Sequence, residues 1–249
     1  MNLTGRTVLV TGGARGVGAE LTRQLVGKGA HVVAVGRGRE QLDALTADHG
    51  DRVSTHVLDL ADLDAVEEFT DGLPDRFPDL SVVVNNAGVQ TITDFVHEDP
   101  RALRPALRRE TAVNLDAVIT LSTGLLPHLR GLPSAAIVNI TSGLAIAPKP
   151  SAPVYCATKA ALRTFSRSLR YQCQDSAPGI QVIDAVLPLV DTDMTRGRGR
   201  GKISAAQAAG AVISAIQRDK AETYIGMTRP LRAIMRLSPT LGYRVLRHG

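Results

Sequence analysis

Tyr155 and Lys159 are the side chains of this sequence best suited to moving a proton, and they lie four positions apart. On a helix that spacing puts both on one face. An ammonium beside a phenol favours the phenolate and lowers a pKa that starts near ~10, each unit being worth ~1.4 kcal/mol. A phenol tuned in this way can serve as general acid or base near neutrality. Such a pair also occurs on surface helices with no role, so its weight comes from order. Ser142 stands thirteen positions earlier, after an apolar strand-like run, and Asn85-Asn86-Ala87-Gly88 lies further upstream.

The start of the chain supplies a second chemistry. A strand-like run enters TGGARGVG at 11–18 (Gly12, Ala14, Arg15, Gly16, Val17, Gly18). Gly12 permits a tight exit from the strand, Gly16 clears space for a pyrophosphate, and Gly18 lets the next helix pack closely. That helix offers free N–H groups and the positive end of its dipole to phosphates. At the end of the second strand an Asp or Glu would bind a ribose 2′-hydroxyl and repel a 2′-phosphate. The sequence has none there, reading Val35-Gly36-Arg37-Gly38-Arg39. Arg15 and Arg37 are placed to grip a phosphate with forked donors. NADP(H) is expected as preferred cofactor, with NAD(H) possible.

These groups must be positioned by alternating elements. Strands are predicted at 7–11, 31–36, 53–58, 81–86, 135–141, 180–187 and 222–225. Several are near-continuous Val, Ile, Leu and Ala, the pattern of strands covered on both faces. Helices are predicted at 16–28, 39–48, 62–73, 100–129, 154–174 and 204–218, with a weaker one at 229–247. The alternation implies an α/β fold, a doubly wound parallel sheet of seven strands in one domain over 1–249.

Composition sets the boundaries. The 249 residues are 44% hydrophobic and 21% charged, which excludes a disordered chain or a disulfide-stapled miniature. Cys156 and Cys173 match no metal-ligand spacing and read as buried thiols of a reducing compartment. With no signal-like N-terminal run and no apolar stretch of about 18 residues, a cytoplasmic location is expected. Net charge is +5, from 24 Arg and 5 Lys against 24 acids. Only 3% of residues are aromatic and none is Trp, so stacking platforms for nucleic acid are few and none is expected as partner.

In this order, glycine turn, NNAG, Ser142 and YxxxK, the chain resembles the short-chain dehydrogenase/reductase family in its single-domain branch. The resemblance runs from about Gly5 to Ile225 and implies a Rossmann-like, three-layer αβα fold. By that resemblance Asp59 and Leu60 contact adenine, and Asn86, Ala87 and Gly88 line the nicotinamide side. Asn114 is the Asn whose distorted backbone holds a relay water. Ser142, Tyr155 and Lys159 are the catalytic trio: Ser142 polarises the substrate oxygen, Tyr155 carries its proton, and Lys159 holds the nicotinamide ribose. No metal is implied. One departure is Leu187-Pro188-Leu189-Val190-Asp191-Thr192, where the family has Pro-Gly before Val-x-Thr. Pro188 stiffens the turn, while Val190 and Thr192 remain to fix the carboxamide. This stretch, with the later GKIS, is also similar to a bacterial subgroup labelled after a teichoic-acid D-alanylation cluster, a label that identifies no substrate.

The activity implied is reduction of a carbonyl, in a pocket walled by 89–95, 144–150, Leu189 and Met194 and therefore suited to a hydrophobic ketone. An NAD-preferring alcohol dehydrogenase and a non-catalytic NADP-binding regulator remain alternatives. A substrate lid is expected at about 190–215. Within it Arg196, Arg198 and Arg200 form either a solvated loop or a grip for an acidic handle. By resemblance, helices 100–129 and 154–174 pair copies into a homodimer or homotetramer. The basic tail, about 229–249, is amphipathic and so capable of lying on an anionic membrane. Packing over the substrate mouth or a neighbouring subunit is the expectation taken for it.

Overall fold

The computed structural model describes residues 1–197, 199 and 201–247, the side chain of Val245 excepted. Among them, seven parallel strands form one sheet: β1 (Thr7–Thr11), β2 (His31–Gly36), β3 (Val53–Val57), β4 (Leu80–Asn85), β5 (Ala135–Ser142), β6 (Ile180–Leu187) and, numbered in chain order, β9 (Glu222–Tyr224). Two short strands, β7 (Val190–Asp191) and β8 (Ile203–Ser204), pair beside it. The sheet order is β3-β2-β1-β4-β5-β6-β9. Order reverses between β1 and β4, which opens a crevice at the carboxyl ends of these strands.

Alternation along each strand sends apolar side chains to two separate cores. Val8, Val10, Val32, Ala34, Val84 and Ala185 meet α1 (Gly16–Gly27), α2 (Arg39–His49) and α9 (Ala205–Gln217) on one face. Leu9, Val33, Val83, Ile137 and Val182 meet α3 (Leu63–Asp71), α6 (Ala117–Gly124) and α8 (Pro153–Ser176) on the other. Three layers result, as the sequence pattern predicts. Burial of both strand faces is why these runs read as continuous rather than alternating.

Three predicted elements differ. The helix expected over 100–129 is broken. After the short α4 (Leu73–Arg76) come α5 (Pro100–Thr111), a π-helical turn at Ala112–Asp116, α6, and α7 (Leu126–Arg130). Pro127 lacks the N–H needed to continue α6, so the chain restarts there. The weaker helix over 229–247 is two, α10 (Thr228–Leu237) and α11 (Pro239–Arg247), divided at Ser238-Pro239. The stretch 190–215 also divides. Residues 205–217 are helix α9, whose Ala208, Val212 and Ile213 are buried in the core, so a lid is confined to the stretch before α9. Arg198 and Arg200 lie outside the described residues.

Candidate active site

The glycine turn is closed against the NNAG segment. Thr11 Oγ1 accepts from the N–H groups of Asn86 and Ala87, both at 3.0 Å, and Asn86 Nδ2 donates to Thr11 O at 2.9 Å. Gly12 adopts φ +65°, and a Cβ there would meet Ala87 Cα at 3.2 Å. A Cβ on Gly18 would fall 1.9 Å from Gly12 O, so only glycine lets α1 start this close to the strand. Gly16, at φ +50°, faces Thr192, whose Cγ2 is 3.0 Å from its would-be Cβ. The chain after β6 therefore closes over the turn, with Val190 buried and Pro188 packed near Gly226.

Helix α1 begins at Gly16 with no side-chain cap on its N-terminus and no acid in its first turn. Its free N–H groups and dipole are left for an anion. Ala14 and Val17 are partly buried against the core beside it. Arg15 and Arg37 are exposed. Arg15 Nη2 lies 3.5 Å from where a side chain on Gly38 would start, and Arg37 lies close enough to Asp59 to help lower its pKa. Both guanidinium groups thus serve the carboxyl end of β2. These features fit a dinucleotide: a side-chain-free cradle, an uncapped helix and two cations.

Asp59 and Leu60 follow β3. Leu60 is buried in the α3 core, while Asp59 accepts from Arg109 Nη2 at 2.7 and 3.0 Å through its two oxygens. That hydrogen bond, the Ala61 N–H and the charges of Arg109 and Arg37 hold the carboxyl below its usual range despite partial burial. Arg109 was not anticipated, because it meets Asp59 from fifty positions away.

Ser142 ends β5 and pairs in register with Leu187. Its Oγ accepts from Leu144 N at 3.1 Å, capping a 3₁₀ turn at Gly143–Ala145 that packs against α8. Helix α8 carries Tyr155 and Lys159 on one face, Lys159 Nζ lying 5.9 Å from the Tyr155 ring centroid. Lys159 is buried and donates to Ile140 O at 2.9 Å. Burial lowers its pKa from 10.5 to about 8, against the opposing pull of Asp184 and Glu110. The π turn holds Asn114, whose Oδ1 accepts from Val89 N at 2.8 Å and whose Nδ2 donates to Val89 O at 2.9 Å. A Cβ on Gly88 would be 3.3 Å from Asn114 Oδ1 and 3.5 Å from Lys159 Nζ, so Gly88 brings these two groups together.

Two buried acids beside this cluster escaped the sequence reading. Glu110, one helical turn before Asn114, is fully buried; Oε2 accepts from Thr91 N at 3.3 Å and Oε1 has no partner among the described residues. Burial raises its pKa. Asp184 on β6 accepts from Thr141 Oγ1 at 2.5 Å, and burial raises its pKa too. In sequence Glu110 is one acid in an arginine-rich helix, and only its place four before Asn114 could have drawn notice. Cys156 and Cys173 are buried free thiols, pushed up in pKa by burial.

Two loops near the expected pocket walls meet. Thr93 N donates to Ser151 O at 3.1 Å, joining loop 89–99 to loop 143–152. Ile92, Phe95, Val96 and Met194 are exposed. Arg196 pairs with Asp193.

The family model for short chain dehydrogenases matches residues 6–202. The chain belongs to that family. It is an oxidoreductase acting on CH–OH or C=O groups with NAD(P). An uncharacterized oxidoreductase of Bacillus subtilis strain 168, DltE, is 39% identical over 196 residues, covering 79% of this chain and 76% of its own. Serine 3-dehydrogenase of Agrobacterium fabrum is 32% identical over 198 residues, covering 78% and 76%. A crystal structure of a short chain dehydrogenase from Burkholderia cenocepacia in complex with NADP superposes with a TM-score of 0.85 at 28% identity, covering 99% of both chains.

Proposed function

We propose that this dehydrogenase uses NADP(H) and reduces a hydrophobic ketone. The observation that carries the cofactor choice is the pair Arg15 and Arg37 at the end of β2, with no carboxylate between Val35 and Arg39. The Burkholderia relative's complex with NADP supports it. Gly12, Ala14, Gly16, Val17 and Gly18 would hold the pyrophosphate, and Asp59 and Leu60 the adenine. Asn86, Ala87, Gly88, Pro188, Val190 and Thr192 would hold the nicotinamide side, with Tyr155 and Lys159 at its ribose.

When bound, the nicotinamide supplies or accepts a hydride at the substrate carbon. Ser142 donates a hydrogen bond to the substrate oxygen and stabilises charge developing there. Tyr155 gives that oxygen its proton, or takes it in the reverse direction. The Lys159 ammonium stabilises the phenolate left on Tyr155. The π turn at Asn114 frees backbone from the i→i+4 pattern, which suits a water relay toward Lys159. The exposed apolar side chains Ile92, Phe95 and Met194 favour a hydrophobic substrate. The α5–α7 and α8 faces are proposed to join copies into a homodimer or homotetramer.

Calorimetric titration with NADPH and NADH tests the cofactor assignment. NADPH should bind at least about ten-fold more tightly, and Arg15→Ala and Arg37→Ala should each cost about ten-fold for NADPH alone. Equal affinity for the two cofactors would refute it and favour an NAD-dependent alcohol dehydrogenase. A ketone panel read against Tyr155→Phe then tests the chemistry.

A further inference from the structure

The net charge of this protein resides in its last segment. Residues 223–249 hold five arginines and no Asp or Glu, while the 222 residues before them hold 24 basic and 24 acidic side chains. The segment lies beyond the residues matched by the family model. Helices α10 and α11 fold there into a tight hairpin. Ser238 N donates to Ile234 O at 2.8 Å, and a Cβ on Gly242 would collide with Met235, so the two helices cross in close contact. The hairpin's inner side is occupied: Thr228 Oγ1 donates to the carbonyl groups of β6 and Ile225, and Leu231 packs beside Gly143, next to Ser142. The inner side of the hairpin thus lies next to the end of β5.

The outer side is not accounted for by that packing. At the apex Leu237 is 88% exposed and Leu241 51%, flanking exposed Pro239 and Thr240, with Tyr243 also exposed. The same two helices carry exposed Arg236, next to the apex, and exposed Arg244 and Arg247 further along α11, none of them in an ion pair among the described residues. Arg232, by contrast, is drawn inward over the Tyr224 ring and toward Glu222. An exposed apolar tip on helices whose outward arginines lack an ion pair among the described residues matches the boundary of an anionic bilayer. There the leucines enter the acyl edge while the guanidinium groups reach lipid phosphates.

We propose that the α10–α11 apex docks this protein reversibly on an anionic lipid surface, with Leu237 and Leu241 as the inserted tip and Arg236, Arg244 and Arg247 as the phosphate contacts. This does not rest on the oxidoreductase assignment. Because α10 borders Gly143, docking brings the substrate mouth close to the bilayer.

Co-sedimentation of the full chain with vesicles is the test, using phosphatidylcholine alone or mixed with phosphatidylglycerol. Binding is expected to the mixed vesicles only, and to weaken strongly between about 0.1 M and about 0.5 M salt. Arg236→Gln/Arg244→Gln/Arg247→Gln should weaken it on the order of a hundred-fold, at roughly 1 kcal/mol per arginine. Leu237→Ser/Leu241→Ser should abolish insertion while leaving circular dichroism and turnover of a soluble ketone unchanged. Light scattering on the leucine variant separates the rival occupant. If it reduces the number of copies in the assembly, the apex is a contact between copies and the proposal is wrong. Failure of the native chain to bind mixed vesicles, or equal binding by both variants, overturns it as well.

Discussion

Replacing Lys159 with Met should make this protein more stable and nearly inactive. Lys159 is buried, and its pKa falls from 10.5 to about 8 in the folded chain. That fall costs the folded state about 3 kcal/mol wherever the unfolded lysine and the folded one are both charged, that is below pH 8. Between pH 8 and 10.5 the unfolded state binds more protons, so stability rises with pH; above 10.5 the penalty is gone. Lys159→Met removes the charge at similar length and leaves Ile140 O without its donor, a loss of about 1–2 kcal/mol. The net expectation is a gain of about 1–2 kcal/mol at pH 7, or about 2–8 °C in Tm for a chain of this size. The gain should fade between pH 8 and 10.5. Turnover should drop by about 100-fold or more if the lysine supports the Tyr155 phenolate. Thermal melts of both proteins from pH 6 to 11, with turnover measured in parallel, provide the check. A variant less stable at pH 7, or a difference flat across pH 8–10.5, would refute the reasoning.

Two further outcomes follow from other parts of the structure. Glu222 sits among Arg163, Arg167, Arg170 and Arg232; burial would raise its pKa, but hydrogen bonds from Arg167 and Tyr224 and the charges of Arg163 and Arg167 hold it at about 2. Its contribution of about 3 kcal/mol is fully present above pH 4.5 and lost as pH falls toward 2. Urea titrations should therefore show Glu222→Gln less stable at pH 7 and converging with the native protein across that window. Gly16→Ala forces a side chain into φ +50° and toward Thr192 Cγ2, so a stability loss of about 1–2 kcal/mol should accompany weakened NADPH binding, read by calorimetry.

The strands were legible because both their faces are buried, leaving unbroken apolar runs such as Val8-Leu9-Val10. The glycine turn was legible because Gly12, Gly16 and Gly18 each exclude a side chain for a reason of space or backbone conformation. The breaks in the helix over 100–129 were not, since apolar residues continue through the π turn into Leu121, Leu125 and Leu129 and mask the change of hydrogen bonding. Pro127 is a local mark of a break in this stretch. The Arg109–Asp59 pair and the burial of Glu110 depend on how α5 lies against the β3 and β4 loops. No local pattern encodes that.

The placement of the buried polar groups bears on what the fold is for. Asn85 Nδ2 donates to Ser122 Oγ and Asn139 Oδ1, and Asn139 Nδ2 to Ser166 Oγ, a buried ladder that ties β4, β5, α6 and α8 together. Glu110 Oε1 and Asp184 Oδ2 are buried without hydrogen-bond partners among the described residues, Asp184 Oδ2 facing Arg163 in an ion pair at 3.6 Å, and both acids act electrostatically on Lys159. Apolar residues of similar size would serve packing better than such a trio. Each acid raises the Lys159 pKa against the burial that lowers it, so together they keep the ammonium charged closer to neutral pH than burial alone would allow. Two buried acids of this core are thus set where their charge acts on Lys159, the side chain proposed to serve Tyr155 as an ammonium.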